Sequence, residues 1–274
     1  MVRCIDPQLA GVLTLSICGD VLRTVTDSTA VCSGAVSIPI IKFAVLLMSL
    51  RVISGQYRRR ILKTPSDDST RPYTDRVRQI VFDRLADYIP DARVADVFSG
   101  VGTMGMESLS RGAWSCVFFE ADADIHQLLV NNVKTIAPEA RTICWRTDVR
   151  RTSFRPHGGE DFMPYTLIFF DPPYKHADEI DPGKPLAASL KRLARDTIST
   201  PDAILILRTP EHTAAPQLPS WHVHDCWELS SMMVWIMVKQ PIVAAEDDDI
   251  AETDLDETLA EPNDNEAVDG TSAD

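Results

Sequence analysis

The stretch RVADVFSGVGTMGMESLSR, residues 93–111, predicts a β-strand, a glycine-rich turn and an α-helix in immediate succession. The strand covers Arg93–Phe98 and the helix covers Met104–Arg111. At the junction the chain matches G-x-G-x-x-G, with glycines at Gly100, Gly102 and Gly105. Such glycines let the backbone turn sharply and approach a ligand beside a helix N-terminus. The match alone is compatible with a nicotinamide cofactor and with other ligands.

On either side of this unit, β-prone and helical runs alternate. Four further runs are typical of buried strands: Ser115–Phe119, Arg141–Trp145, Thr166–Phe170 and Ala203–Leu207. Three more runs have helical periodicity: Thr74–Ile89, Asp122–Ile136 and Leu186–Ile198. The alternation predicts βαβ units, and therefore an α/β fold with a parallel sheet covered by helices on both faces. The last β-prone runs, His222–Leu229 and Met232–Val238, are joined only by Ser230-Ser231, which predicts an antiparallel hairpin and one reversed edge.

Three acidic residues are candidates for binding a cofactor near the glycine turn. Glu120 ends the second strand, where a carboxylate can accept both hydroxyls of an adenosine ribose. NAD and S-adenosylmethionine share that ribose, so Glu120 does not distinguish them. Asp96, inside the first strand, is costly to bury without a role. It suits a cofactor with cationic amino and sulfonium groups, or it bonds the backbone amides of the turn. Asp148, after the third strand, can accept from an adenine amino group.

The run LIFFDPPY, Leu167–Tyr174, is the most informative for chemistry, because an apolar strand ends in Asp171-Pro172-Pro173-Tyr174. Open α/β sheets bind ligands at this end of their strands. An exocyclic amine is a poor nucleophile because its lone pair is delocalised into the base. The Asp171 carboxylate and the Pro172 carbonyl can grip its N–H groups and turn the lone pair towards a methyl donor. Tyr174 offers a face for base stacking, worth about 1–3 kcal/mol. The alternative is a strand that simply ends in a proline turn.

Four segments together resemble the RsmD family of bacterial small-subunit rRNA guanine-N2 methyltransferases. They are RPYTDRVR at Arg71–Arg78, DVFSGVGTMGMESLSRGA at Asp96–Ala113, FFEAD at Phe118–Asp122 and FFDPPY at Phe169–Tyr174. The opening RVISGQYRRR, Arg51–Arg60, is also similar to that family's N-terminus. The resemblance covers Met48 to Lys239.

This resemblance implies a Rossmann-like class I methyltransferase with a mostly parallel seven-stranded sheet and a C-terminal antiparallel hairpin strand. It implies S-adenosylmethionine as donor, and guanine N2 in 16S rRNA of the small ribosomal subunit as target. Carried over by position, Asp171, Pro172, Pro173 and Tyr174 would hold the guanine. The cofactor set would be Thr74, Asp96, Phe98, Ser99, Gly100, Gly102, Glu120 and Asp148. The polar segment Lys175–Lys184 borders the expected substrate entrance.

A basic segment precedes the first predicted strand. Residues 48–78 carry eight Lys or Arg against three Asp, a net charge of +5. This predicts a surface that binds RNA phosphates without reading sequence. The candidates are Arg58, Arg59, Arg60 and Arg71. A solvated basic face is the alternative.

The two ends of the chain differ from its body. The formal charge of the 274 residues is −13, but thirteen acidic residues and no basic ones fall between Glu246 and Asp274. The rest is neutral, with 27 acidic and 27 basic residues, so the acidity does not argue against a nucleic-acid partner. We expect a non-native or disordered extension at 1–47 with the biological start at Met48, a methyltransferase domain at 48–243, and a disordered acidic tail at 244–274.

Several classes of protein are disfavoured by composition. The apolar run Ala35–Leu50 is too short for a spanning helix, is interrupted by Pro39 and carries Lys42. The six cysteines form no C-x-x-C pair, so neither a zinc site nor a disulfide framework is expected. We therefore expect a cytoplasmic monomer with reduced thiols and no metal.

Three alternative functions stay open. A DNA adenine-N6 methyltransferase uses a similar tetrapeptide but needs a target-reading domain, for which the spacing between motifs leaves no room. A nicotinamide oxidoreductase would explain the glycines but not Asp171–Tyr174. A non-catalytic rRNA-binding assembly factor would keep the basic segment without needing Asp171.

Overall fold

The computed structural model describes residues 50–65 and 74–240, together with four two-residue strands nearer the start of the chain. Those strands form two antiparallel pairs, Leu13–Thr14 with Thr24–Val25 and Thr29–Ala30 with Ile38–Pro39. The Met48 start, the acidic tail and Arg71 lie outside the described residues, as does most of the apolar run at 35–50.

The main body contains four α-helices and seven strands within residues 74–240. The helices are α1 (Asp75–Arg84), α2 (Thr103–Ser110), α3 (Ala123–Ile136) and α4 (Pro185–Leu193). The strands are β1 (Arg93–Val97), β2 (Ser115–Glu120), β3 (Thr142–Arg146), β4 (Tyr165–Phe170), β5 (Ser199–Pro210), β6 (Trp221–Leu229) and β7 (Met232–Lys239). Short 3₁₀ helices occupy Ala86–Tyr88, Glu160–Phe162 and Tyr174–Ile180.

The seven strands form one sheet in the order β6-β7-β5-β4-β1-β2-β3. The five strands from β5 to β3 are parallel, and β7 runs antiparallel to both of its neighbours. The predicted fold class is therefore confirmed. The expectation of a reversed edge needs one correction, because the reversed strand β7 is inserted between β5 and β6. The hairpin folds back so that its second strand pairs with β5.

Helices cover both faces of the sheet, as predicted. Neighbouring strand residues alternate between two apolar clusters: Phe118 and Phe169 lie in one, and Phe119 and Phe170 in the other. The first cluster contains apolar residues of α1, α2 and α3, and the second those of α4. Because both faces are apolar, the central strands read as continuous hydrophobic runs.

Several element boundaries differ from the sequence prediction, among them the helix predicted at Leu186–Ile198, which ends at Leu193. Two of the differences have identifiable reasons. The predicted helix Thr74–Ile89 ends at Arg84 and continues as a 3₁₀ turn, with Thr74 as its N-cap. Strand β5 was predicted to end at Leu207 but extends to Pro210, because its ladder with β7 continues to the pair Pro210–Met232. This extension places Arg208 in the sheet.

Several buried side chains attach the N-terminal segment to the body, among them Glu107 and Asn132. Glu107 of α2 accepts backbone N–H groups from Ile53 and Ser54 at 2.7 and 3.0 Å. Asn132 of α3 accepts from the Lys63 N–H at 2.8 Å and donates to the carbonyls of Lys63 and Val101. The basic segment is therefore tied to the same helix and turn that carry the glycines.

None of the helices in the described part of the chain combines the length and apolar character that a membrane crossing requires.

Candidate active site

The candidate site lies at the carboxyl ends of β1 and β4, where the strand order reverses. Open α/β sheets bind ligands at this crevice. The register pairs Val97 with Phe170, and the Asp171 N–H donates to the Val97 carbonyl at 3.3 Å. The glycine turn after β1 and the Asp171 motif after β4 are therefore neighbours, although more than sixty residues of chain separate them. Both motifs are visible in the sequence, but the register of β1 and β4 is what brings them together.

The backbone of the glycine turn is left-handed at three residues. Phe98, Gly100 and Gly102 have φ values of +65°, +55° and +91°. A positive φ at a non-glycine residue such as Phe98 is a strained conformation that clusters at functional sites. The turn is held because the Ser99 N–H donates to the Phe119 carbonyl at 3.0 Å and the Gly102 N–H to the Ser99 carbonyl at 2.8 Å.

The glycines of the turn serve different purposes. A Cβ added at Gly100 would meet no heavy atom within 4 Å, so the backbone there borders open space. A Cβ at Gly105 would lie 2.3 Å from the Phe118 ring and 2.6 Å from the Cys116 sulfur. Gly105 therefore allows α2 to pack closely against β2, as the third glycine of such patterns does.

Glu120, at the end of β2, faces the turn. Its carboxylate accepts N–H groups from Gly100 and Asp122, each at 2.9 Å. A carboxylate has about four acceptor positions, so these two bonds leave capacity for ribose hydroxyls. The same bonds fix the carboxylate against the glycine turn.

Asp96 is buried in β1, with only 1% of its surface exposed. Its Oδ2 accepts the Gly105 N–H at 2.8 Å, so the alternative role weighed from the sequence, bonding to backbone amides, is present in the structure. Burial is the main reason that the pKa of Asp96 is raised to about 7, and the negative charges of Asp171 and Glu120 add to the effect. Three carboxylates thus converge on one crevice and favour a cationic ligand there.

The Asp171 motif follows directly after β4, and the ring of Tyr174 at the end of the motif is exposed. Asp171 is largely buried and forms an ion pair with the Nε group of Arg208 from β5. Burial raises the pKa of Asp171 to about 6, and the charge of Arg208 opposes that rise. Pro172 is buried, whereas Pro173 and Tyr174 are exposed, with 39% of the Tyr174 surface accessible.

Arg208 is a residue of the site that sequence reasoning missed. Its guanidinium carbon lies 5.2 Å from the centroid of the Tyr174 ring, and the same group pairs with Asp171. The signal in the sequence was a cation directly after the apolar run AILIL, in the position that Asp171 has after LIFF. Only the pairing of β4 with β5 shows that these two positions are neighbours in the structure.

A second ion-pair cluster connects the Asp171 loop with the loop after β3. Glu179, in the segment Lys175–Lys184, accepts from Arg150 at 2.7 and 2.8 Å and lies 2.6 Å from the His176 ring nitrogen. The hydrogen bond from Arg150 is the largest cause of lowering the pKa of Glu179 to about 2. The Asp148 carboxylate accepts the Arg150 N–H at 2.9 Å. Asp148, the predicted adenine-binding residue, is therefore joined to the segment Lys175–Lys184 through Arg150.

Two of the remaining predicted site residues, Thr74 and Arg60, bond to helix ends through their side chains. Thr74 accepts the Val77 N–H at 3.3 Å and caps α1. Arg58, Arg59 and Arg60 are all exposed. Arg60 donates to the Ile136 carbonyl at 2.5 Å, at the end of α3, and contacts the Tyr57 ring.

Two other cations of the basic segment are engaged within the protein. Arg51 pairs with Asp75 at 3.0 Å. Arg78 is completely buried and donates to Asp75 and to the Arg51 carbonyl. The net charge of +5 counted along the sequence therefore overstates the charge that this segment presents to solvent.

Within residues 50–65 and 74–240, no group of three or more His, Cys, Asp or Glu is arranged to hold a metal ion. The described cysteines, Cys116, Cys144 and Cys226, are free thiols.

The fold and the site define a Rossmann-like methyltransferase. Residues 50–237 match the family described as conserved hypothetical protein 95. The chain is 31% identical over 177 residues to ribosomal RNA small subunit methyltransferase D of Escherichia coli, covering 64% of this chain and 82% of that protein. The chain belongs to this family, the RsmD family of methyltransferases, as the resemblance implied.

Solved structures agree with this assignment. The protein named "Putative methyltransferase yhhF" from Escherichia coli superimposes with a TM-score of 0.57 at 28% identity, covering 70% of this chain and 98% of that one. A hypothetical protein from Thermus thermophilus has the same fold, with a TM-score of 0.52 at 24% identity over 68% of this chain and 97% of that one.

Proposed function

We propose that this protein transfers a methyl group from S-adenosylmethionine to the exocyclic N2 amine of a guanine in 16S rRNA of the small ribosomal subunit. The observation that carries the proposal is the adjacency of Asp171-Pro172-Pro173-Tyr174 and the glycine turn, set by the pairing of Val97 with Phe170. Membership of a family that includes a small-subunit rRNA methyltransferase supports the choice of rRNA. The site of action would be the cytoplasm, and the catalytic unit residues 48–243.

The residues around the turn fit S-adenosylmethionine. This cofactor supplies an electrophilic methyl group on a cationic sulfonium, beside a cationic amino group. Asp96, Glu120 and Asp171 converge on the crevice, and their mutual repulsion would be relieved by such a ligand. The backbone at Gly100, which borders open space, would accommodate the methionine part together with its neighbours Phe98, Ser99 and Gly102. Glu120 would bind the ribose, and Asp148 the adenine amino group. Thr74 belongs to the same proposed set.

Asp171 and Pro172 would act on the guanine amine by accepting its N–H groups. Both acceptors sit on a loop fixed by the Val97 bond, so they would hold the nitrogen in one orientation. With a pKa of about 6, Asp171 is mainly a carboxylate at neutral pH and can accept rather than donate. Tyr174 would stack on the extruded base. Acceleration would then arise from orientation of the amine towards the methyl group.

The decisive experiment measures transfer of labelled methyl from S-adenosylmethionine to three substrates: unmodified small subunits, naked 16S rRNA and DNA. We expect label in the ribosomal RNA, recovered as N2-methylguanosine after digestion. Asp171→Ala should lower the rate about a hundredfold or more, because it removes a group that orients the reacting amine. The exposed Asp178→Ala, in the same loop, is the matched control and should keep the wild-type rate.

Each contrary result points to one alternative. Label in DNA as N6-methyladenine would indicate a DNA adenine methyltransferase. Binding to small subunits with no label in any substrate would indicate a non-catalytic assembly factor. Either outcome overturns the proposal.

A further inference from the structure

We propose that Arg208 is a positioning residue that fixes the Asp171 carboxylate and the Tyr174 ring relative to each other and balances the charge of Asp171. This inference rests on the proposed function, in which Asp171 and Tyr174 hold the target base. It assigns a role to a residue that no motif of the sequence marks.

The sheet determines where Arg208 lies. The parallel strands β4 and β5 pair Phe170 with Leu207. Asp171 and Arg208 directly follow these two paired residues, so they lie side by side. On its other side, Arg208 pairs with Val234 of β7. Because the strand that carries Arg208 is paired on both sides, the backbone of Arg208 is fixed. Its side chain is only 10% exposed. The cation is therefore a fixed part of the site.

One side chain contacts two of the groups proposed to hold the base. Arg208 Nε pairs with Asp171 Oδ1, and the guanidinium carbon lies over the Tyr174 ring at 5.2 Å from its centroid. Arginine is suited to this double contact because its planar group binds a carboxylate and stacks on an aromatic face at once. The cation covers one face of the ring, so the opposite face of Tyr174 is the one that would receive a base.

The charges around Asp171 make Arg208 the counterion. Arg208 of β5 faces the carboxylate, Asp96 of β1 and Glu120 of β2 are the other carboxylates of the crevice, and Tyr174 follows in the same loop. Burial raises the pKa of Asp171, and Arg208 is the group that lowers it. Without the cation, the pKa of Asp171 would be higher still, and a larger fraction of the carboxyl would be protonated at neutral pH. A protonated carboxyl donates from one oxygen and loses acceptor capacity for the guanine N–H groups.

The test compares the pH dependence of single-turnover methyl transfer in the wild type, Arg208→Met and Arg208→Lys, using the full chain and unmodified small subunits. In Arg208→Met we expect the acidic limb of the profile of rate against pH to move to higher pH by about one unit or more. The loss of rate should therefore be about threefold or more greater at pH 6.5 than at pH 9. Arg208→Lys keeps the positive charge without the planar group. Its acidic limb should lie at the wild-type pH, and its maximal rate should be lower than that of the wild type.

The matched control is Arg84→Met, which removes another arginine stacked on an aromatic ring, that of Trp227 at 4.7 Å. It should leave the pH profile unchanged. If Arg208→Met lowers the rate by one factor at every pH, or does not lower it, the proposal is overturned. If Arg208→Met fails to fold, as judged by circular dichroism, Arg208→Gln replaces it under the same criteria.

A second measurement is independent of activity. Carbon-13 titration of the aspartate carboxyls, with Asp171 identified by its loss in Asp171→Asn, reports the pKa of Asp171 directly. We expect that pKa to rise in Arg208→Met or Arg208→Gln, and an unchanged value would overturn the role of Arg208. If the wild type transfers no methyl, the proposed function fails, and this titration alone decides whether Arg208 is the counterion.

Discussion

Asp96 shows how one buried carboxylate can serve both the fold and the chemistry. Its bond to the Gly105 N–H holds the start of α2 against β1, and an amide oxygen could make the same bond. Its negative charge is not needed for that contact and is unfavourable in a buried position. The charge is useful only if a cationic group arrives in the crevice. Structural and functional roles can therefore be separated by a change that keeps the shape and removes the charge.

We predict that Asp96→Asn stabilises the protein above neutral pH while weakening S-adenosylmethionine binding. The pKa of Asp96 is raised to about 7, so the folded state binds a proton more tightly than the unfolded state. The resulting stability is fully present below the ordinary carboxyl pKa of about 4 and is lost as pH rises through about 7. Urea unfolding from pH 4 to 8 should show a flatter profile in the variant, with a gain of up to about 4 kcal/mol at pH 8.

The exposed Asp202→Asn serves as control, since it removes one carboxylate from the surface and should reproduce the wild-type profile. Calorimetric titration with S-adenosylmethionine completes the comparison. A variant that is less stable at pH 8, or that binds the cofactor as tightly as the wild type, would contradict the prediction.

At the scale of elements, the glycine turn has a packing role in addition to the ligand-binding role proposed for it. Gly105 sits in the first turn of α2, where the helix approaches the side chains of Cys116 and Phe118 on β2. Both neighbours are completely buried and have little room to move. The absence of a side chain at Gly105 therefore allows α2 to pack closely against β2.

We predict that Gly105→Ala lowers the free energy of unfolding by about 2–3 kcal/mol, because the new methyl group would lie 2.3 Å from the Phe118 ring. The better helix propensity of alanine offsets only about 1 kcal/mol of the overpacking. Urea unfolding measures the change. The same substitution in a Phe118→Leu background should cost clearly less, since the smaller side chain makes room. Equal costs in both backgrounds would exclude the proposed clash.

At the scale of the whole molecule, the neutral body carries its basic segment as a fixed element. Glu107 and Asn132 bind the backbone of this segment, and Asn132 also binds the Val101 carbonyl in the glycine turn. A surface that contacts RNA phosphates would therefore be held at a constant position relative to the cofactor site. Arg58, Arg59 and Arg60 are all exposed, but Arg60 differs from the other two because its side chain also donates to the Ile136 carbonyl at the end of α3.

We predict that Arg58→Ala/Arg59→Ala weakens binding to unmodified small subunits and reduces the slope of log affinity against log salt by between about one and two. The melting temperature should not change. Arg60→Ala should do the reverse, keeping the slope and costing about 1 kcal/mol of stability, because it removes the bond to the Ile136 carbonyl. Filter binding across salt concentrations and thermal unfolding measure the two effects. An unchanged slope in the double variant would remove Arg58 and Arg59 from the RNA surface.

The local pattern of this sequence determined the elements of the fold and the motifs of its site. Strand and helix periodicity, the three glycines and the run LIFFDPPY all report on neighbouring residues, and each corresponds to an element of the structure within a few residues. The tertiary structure alone decided the pairing of Asp171 with Arg208, the burial of Arg78 and the capping role of Arg60. Those contacts depend on the lateral order and register of strands, and on which helix end a loop reaches. Local hydrophobic periodicity carries no information about either, because many residues separate the groups that finally touch.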